Sequence, residues 1–135
     1  MIEYHDDCVD VGPEDLEGFF VGWPTPPSPE AHLEILKRSS EIVLAVDGDS
    51  GQVVGFVTAV TDGVICAYIP LLEVLPSFQK RGIGRELMRQ LLDKFKHLYM
   101  IDLTCDVERQ SFYRRLGMRE STGMMIRNFD RQSCG

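Results

Sequence analysis

The chain of 135 residues is poor in the residues that would announce a metal centre, a disulfide framework or a membrane span. Its four cysteines, Cys8, Cys66, Cys105 and Cys134, form no Cys-x-x-Cys pair and have no histidine at ligand spacing, so neither a zinc site nor a secreted disulfide scaffold is expected. Reduced thiols are expected, with Cys66 and Cys105 as small apolar strand residues. No apolar run approaches the roughly 20 residues a bilayer-spanning helix needs, and Pro70 interrupts the longest candidate. The first residues, Met1-Ile2-Glu3-Tyr4-His5-Asp6-Asp7, lack the basic and apolar regions of a signal peptide. The expected location is therefore cytoplasmic, with no membrane partner. Positive charge is also scarce: 14 Lys and Arg stand against 21 Asp and Glu, a net −7, which argues against a general nucleic-acid surface and leaves room for a cationic partner.

What is present describes one ordinary domain over residues 1–135, with 44% apolar residues and enough chain to bury one core. Ile2 to Tyr4 reads as a short first strand. Gly12-Pro13-Glu14-Asp15-Leu16 reads as a helix start continuing to about Phe20, with proline in the first turn and acids suited to the helix dipole. Four prolines in Gly22 to Pro29 forbid regular structure, after which Ser28 is a fitting N-cap for a second helix through Leu36. Phe19, Phe20 and Trp23 form either a wall beside a substrate or the packed inside of a loop.

Ile42 to Val46, Val53 to Val60 and Val64 to Leu75 read as three consecutive strands in an antiparallel meander. Pro70 cannot donate to a ladder, so a bulge or an unpaired edge is expected there. From Ile83 to Leu98 apolar residues recur every three or four positions, the pattern of a helix lying on a sheet. Met100 to Cys105 is the next strand, and a strand-helix-strand crossover of this length predicts a parallel pair. Glu108 to Leu116 reads as a short helix stopped by Gly117, and Met118 to Ser121 with Met124 to Arg127 as a closing hairpin through Thr122-Gly123. The fold class is α+β with a mixed sheet.

The stretch Gln79-Lys80-Arg81-Gly82-Ile83-Gly84 joins a strand directly to the long helix. A helix start offers N–H groups without partners and a partial positive charge, and glycines let a ligand approach them. A phosphate-bearing ligand on the amides of residues 79–84 is the physical expectation; a plain tight turn is the alternative. Arg85 and Arg89 do not suit the dipole at a helix start, and an anion would explain them. No Gly-Lys-Ser/Thr follows, so a P-loop nucleotide site is not indicated.

That hexapeptide, preceded by Leu72-Glu73-Val74-Leu75-Pro76, resembles the acyl-CoA signature Gln/Arg-x-x-Gly-x-Gly/Ala of the GNAT superfamily of N-acetyltransferases. Phe112-Tyr113-Arg114-Arg115-Leu116-Gly117-Met118 looks like the same superfamily's Phe-Tyr-x-x-Leu-Gly-Phe segment, and the element order agrees over nearly the whole chain. The resemblance implies acetyl-CoA as donor, no metal, and transfer to a primary amine of a small molecule or protein. It implies that the strand carrying Leu72, Glu73 and Val74 splays from its parallel neighbour and offers backbone to the pantetheine arm. Gln79, Lys80, Arg81, Gly82, Ile83 and Gly84 would hold the pyrophosphate, with Arg85 a further phosphate contact. Tyr113 matches the position that donates a proton to the departing thiolate. Glu73 and Asp102 are the carboxylates in range of the strands for the role of base, with ordered water as the alternative. The family often has Asn near the start of the last short helix, where this chain has Cys105-Asp106-Val107. A domain that binds acyl-CoA without turnover is the competing reading, and an edge strand in the C-terminal half would suit a homodimer.

Overall fold

The computed structural model describes all residues, Met1–Gly135. The β-branched runs form β2 (Glu41–Asp47) and β3 (Val53–Thr61), paired antiparallel with Val43 opposite Val57 and Leu44 opposite Phe56. β1 (Ile2–His5) adds to the far side of β2, and β4 (Cys66–Val74) to β3. β5 (Met100–Asp102) lies parallel to β4, giving a five-stranded sheet in the order β1-β2-β3-β4-β5. β4 starts two residues later than its apolar run suggests. The amides of Val64, Ile65 and Cys66 donate instead to Asp62 Oδ1 at 2.8, 2.9 and 3.2 Å. Those three bonds hold the Asp62 carboxyl down to about 2.

Successive strand residues face opposite sides, and on β3 both sides are covered. Gly55 lies under α2 (Ile83–Asp93), where an added Cβ would meet Leu87 at 3.1 Å and Ile83 at 3.3 Å, so glycine is what lets the helix approach. Phe56, the next residue, meets Phe19 and His32, the latter on α1 (Pro29–Arg38), at ring distances of 5.1 and 4.3 Å. The core is thus two apolar layers flanking β2 and β3, which explains why these strands read as continuous apolar runs rather than alternating ones.

The helix ends follow their residues. Ser28 Oγ accepts the Ala31 N–H at 3.1 Å, capping α1 with Pro29 in its first turn, as expected from the sequence. The expected helix from Gly12 to Phe20 is instead a single 3-10 turn, Pro13–Leu16. Positive φ at Gly18 (94°), Phe20 (63°) and Gly22 (84°) redirects the chain before a second turn can form. α2 stops at Asp93, and turns carry its apolar stripe on to the buried Phe95 and Leu98. α3 (Gln110–Arg114) follows a 3-10 turn at Val107–Arg109. It closes at Gly117 (φ 93°), with Met118 N–H donating to Tyr113 O at 3.2 Å and Gly117 N–H to Arg114 O at 3.0 Å. The expected closing hairpin is not formed: residues 118–128 hold no strand, and only a 3-10 turn, Phe129–Arg131, follows.

Candidate active site

The site begins with the way β4 and β5 part. They pair only at Cys66 with Met100, Ala67 with Ile101 and Tyr68 with Asp102, while β4 continues to Val74 against β3. The departure coincides with a bulge: Thr58 stands opposite Leu71 but Val60 opposite Tyr68, so Ile69 and Pro70 crowd into the space of one residue. Pro70 has no N–H to lose there, and a bulge increases local twist. The half of β4 that carries Leu71, Leu72, Glu73 and Val74 therefore turns a backbone edge toward the side that β5 has left.

Beyond β4 the chain makes a 3-10 turn, Pro76–Phe78, and enters the loop to α2. Gln79 Nε2 donates to Val74 O at 3.0 Å, tying the loop back to the strand. Lys80 (φ 64°) and Gly82 (φ 82°) are left-handed and Arg81 between them is not. Such alternation turns consecutive N–H groups toward one side, the geometry of an anion-binding nest. The first bond of α2 runs from Glu86 N–H to Gly82 O at 3.1 Å, so the amides before it are the helix's free donors. Gly82 has a conformational reason to be glycine. Gly84 has a weaker one, since a Cβ there would reach Phe112 at 3.6 Å and Val74 at 3.7 Å, ordinary contacts.

The cations divide into two groups. Lys80, Arg81 and Arg85 are exposed with no carboxylate within ion-pair distance, and Arg81 lies 5.0 Å above the Phe78 ring. Arg89 is committed to Glu86, through bonds of 2.9 and 2.6 Å that hold the Glu86 carboxyl down to about 2. The anion explanation is thus left to Lys80, Arg81 and Arg85, and Arg89 has its own partner.

Tyr113 is half-buried on α3, whose Phe112 lies against Gly84 at the start of α2 and packs edge-on to Tyr113 at 5.0 Å. Burial, and after it the Cys105 thiol, push the phenol above its ordinary value. The phenol therefore stays protonated, able to donate, well above neutral pH. Its hydroxyl has no hydrogen-bond partner within the chain.

Glu73 has an unexpected role. Its Oε1 accepts the Phe20 N–H at 2.9 Å and its Oε2 the Val21 N–H at 3.2 Å, clasping the Gly18–Trp23 loop to β4. Nothing in the sequence links positions so far apart, and the positive φ of Phe20 that turns its amide toward Glu73 belongs to a residue type that rarely takes it. Phe19 and Phe20 are buried with His32 and Phe56, so they belong to the core; Trp23, 4.9 Å from the Phe20 ring, stays partly exposed. Asp102 is exposed at the end of β5, level with Tyr68. Two surface concavities, of about 410 and 440 Å³, lie elsewhere, around Asp6–Asp7 with α2 and around Asp6–Val11 with α1. Apart from Arg89, which lines the first, they hold none of the candidate site residues.

The mixed sheet, with β5 parallel to β4, is the architecture that the comparisons share. Residues 9–118 match the profile of the Acetyltransferase (GNAT) family. The chain belongs to that family. An uncharacterised N-acetyltransferase of Porphyra purpurea, ycf52, is 33% identical over 101 residues, covering 72% of this chain and 58% of that protein, so the chain spans little more than half its length. The crystal structure of a provisionally assigned acetyltransferase from Deinococcus radiodurans R1 is 45% identical and superposes with a TM-score of 0.95 over 98% of this chain and 92% of that one. A GNAT family acetyltransferase from Streptococcus pneumoniae TIGR4, 35% identical, gives 0.76 over 95% and 98%. The α+β architecture, four antiparallel strands and a parallel fifth, is the fold of these relatives.

Proposed function

We propose that residues 1–135 act as one N-acetyltransferase domain, moving an acetyl group from acetyl-CoA to a primary amine by direct attack in a ternary complex. The observation that carries this reading is the parting of β4 from β5 after Tyr68, directly beside an amide nest at the start of α2. In this reading Leu72, Glu73 and Val74 offer backbone to the pantetheine arm. The amides of Lys80, Arg81, Gly82, Ile83 and Gly84 receive the pyrophosphate, the Gln79 N–H expected to join them being taken by Pro76 O at 3.3 Å, and Lys80, Arg81 and Arg85 supply the positive field. Each shielded charge-assisted contact contributes on the order of 1.5–3 kcal/mol, and much less at an exposed rim.

In the reaction the amine nitrogen bonds to the acetyl carbon, the C–S bond breaks and the electron pair leaves with sulfur. Tyr113 gives the thiolate its proton, and the amine's proton passes to a base. Holding the two reactants in line is worth roughly 7–11 kcal/mol, so no covalent nucleophile is needed. Glu73 already accepts two backbone N–H bonds, which favours water, rather than its carboxylate, as first proton acceptor. The net charge of −7 favours a cationic amine, and Trp23 provides an apolar surface beside it. A cytoplasmic setting suits four cysteines that are all free.

The test is an acetyl-CoA titration by calorimetry followed by thiol release over a panel of polyamines, aminoglycosides and peptide amines. Saturable binding with turnover of a cationic amine is expected. Absence of acetyl-CoA binding overturns the donor assignment, whereas tight binding with no turnover on any amine supports a silent binding module.

A further inference from the structure

Residues 103–118 form a limb that carries Tyr113 and is thinly attached. It leaves the sheet after Asp102, and none of its residues is fully buried; Leu103, Phe112, Tyr113, Leu116 and Met118 only lean on the core. Its hydrogen bonds are internal or run forward to Glu120, with one exception. The hydroxyls of Tyr68 and Thr104 are bonded at 3.1 Å. No other hydrogen bond, and no ion pair, joins the limb to the residues before it.

The place of that bond gives it meaning. Tyr68 and Asp102 are the last pair of the β4–β5 ladder, and beyond them the strands part. Tyr68 thus stands on the last rung and Thr104 two residues past it, so the Tyr68 ring spans the vertex of the gap and reaches the departing chain. Cys105, the next residue, lies close enough to the Tyr113 phenol to help raise its pKa, which places the bond's anchor beside a neighbour of that phenol. Tyr68 and Thr104 are both exposed residues whose hydroxyls water could satisfy, so their bond adds little to global stability. Its weight falls on the limb, which has few other attachments.

We propose that Tyr68 and Thr104 are positioning residues: their bond is a strut across the vertex of the gap, setting the opening between β4 and the limb and with it the place of Tyr113. This rests on the donor reading above, in which the pantetheine arm fills the gap and the pyrophosphate lies outside it on the nest. Without the strut the limb samples wider openings, which loosens the hold on the arm and leaves the nest untouched.

Hydrogen exchange and ligand binding, both measured on the intact chain, test this. Thr104→Val replaces the hydroxyl with a methyl, Tyr68→Phe breaks the same bond from the other side, and Thr104→Ser keeps it. In Thr104→Val the amides of Leu116 and Met118, both bonded to Tyr113 O, are expected to lose protection about 5-fold, the usual weight of a single hydrogen bond, while those of β2 and β3 keep theirs. The dissociation constant of coenzyme A is expected to rise by a similar factor, and that of ADP, which carries a pyrophosphate without the pantetheine arm, to stay unchanged. Tyr68→Phe is expected to match Thr104→Val, and Thr104→Ser to behave as the wild type. Unchanged protection of Leu116 and Met118 in Thr104→Val and Tyr68→Phe overturns the strut. So does equal weakening of coenzyme A and ADP, the mark of a general loss of structure. A wild-type chain that binds neither ligand overturns the donor reading instead, and the strut is then judged by exchange alone.

Discussion

Tyr113 stands on a five-residue helix whose position is set by Phe112 packing against Gly84 and by the Gly117 stop. Because burial raises its pKa, the phenol holds its proton across the neutral range. Removing only the hydroxyl, in Tyr113→Phe, is expected to lower kcat at least about 10-fold while the acetyl-CoA dissociation constant stays within a factor of about two, the mark of a proton donor acting in the transition state. Single-turnover kinetics with the best amine checks this, and an unchanged kcat removes Tyr113 from the chemistry. Glu73 makes a different prediction. In Glu73→Gln the amide can accept one of the two loop N–H bonds but must turn a donor toward the other, so the Gly18–Trp23 loop loosens by about 1 kcal/mol. The expected result is a red-shifted emission of Trp23, the one tryptophan, and an amine KM that rises more than kcat falls. A large fall in kcat with unchanged emission and KM would instead make Glu73 the base.

Among the elements, the β4-loop-α2 unit was the most legible in the sequence, because its parts are local. Pro70 gives the bulge, Gly82 the left-handed cap, and the three-and-four spacing the helix. Elements that depend on distant partners were not legible. The expected helix at Gly12–Phe20 gave way to a loop shaped by Glu73, 53 residues away; the shortening of β4 by the neighbouring Asp62 carboxylate is a local effect that its apolar run masked. The loop also makes its own prediction. Gly82→Ala meets no neighbouring atom, so its cost is conformational alone, roughly 1–2 kcal/mol for a left-handed alanine. If the nest holds pyrophosphate, relaxing that strain reorients the amides. The expected outcome is a rise of about 10-fold or more in the acetyl-CoA dissociation constant with a Tm lowered by only a few degrees. Lys80→Ala with Arg81→Ala is expected to weaken acetyl-CoA binding and to flatten its dependence on salt, since exposed charges act through a screened field.

For the whole molecule, the antiparallel meander and the parallel last strand were legible in the apolar runs, whereas the position of β1, the two covering layers and a buried titratable group in one of them were hidden. His32 matches no motif and reads from the sequence as an ordinary residue of α1. In the structure it is fully buried between Phe19, Phe20 and Phe56, with both ring nitrogens lacking a partner, and burial lowers its pKa to about 4. The folded chain therefore resists the proton that the unfolded chain accepts from its ordinary value of 6.5 downward. The contribution of His32 to stability is fully present above pH 6.5 and is lost as pH falls from there toward 4, at up to about 1.4 kcal/mol per pH unit, or about 3 kcal/mol in all. Asp62 and Glu86, each held down to about 2, favour the folded state above their ordinary values of 3.8 and 4.5 and lose that contribution only below them. The interval from pH 6.5 to 4.5 is thus set by His32 rather than by these carboxylates. Urea denaturation at stepped pH is expected to show the decline in that interval for the wild type, and a nearly flat profile for His32→Leu, which fills the aromatic cluster without a titrating group. A variant that declines as steeply as the wild type would place the acid-sensitive group elsewhere in the fold.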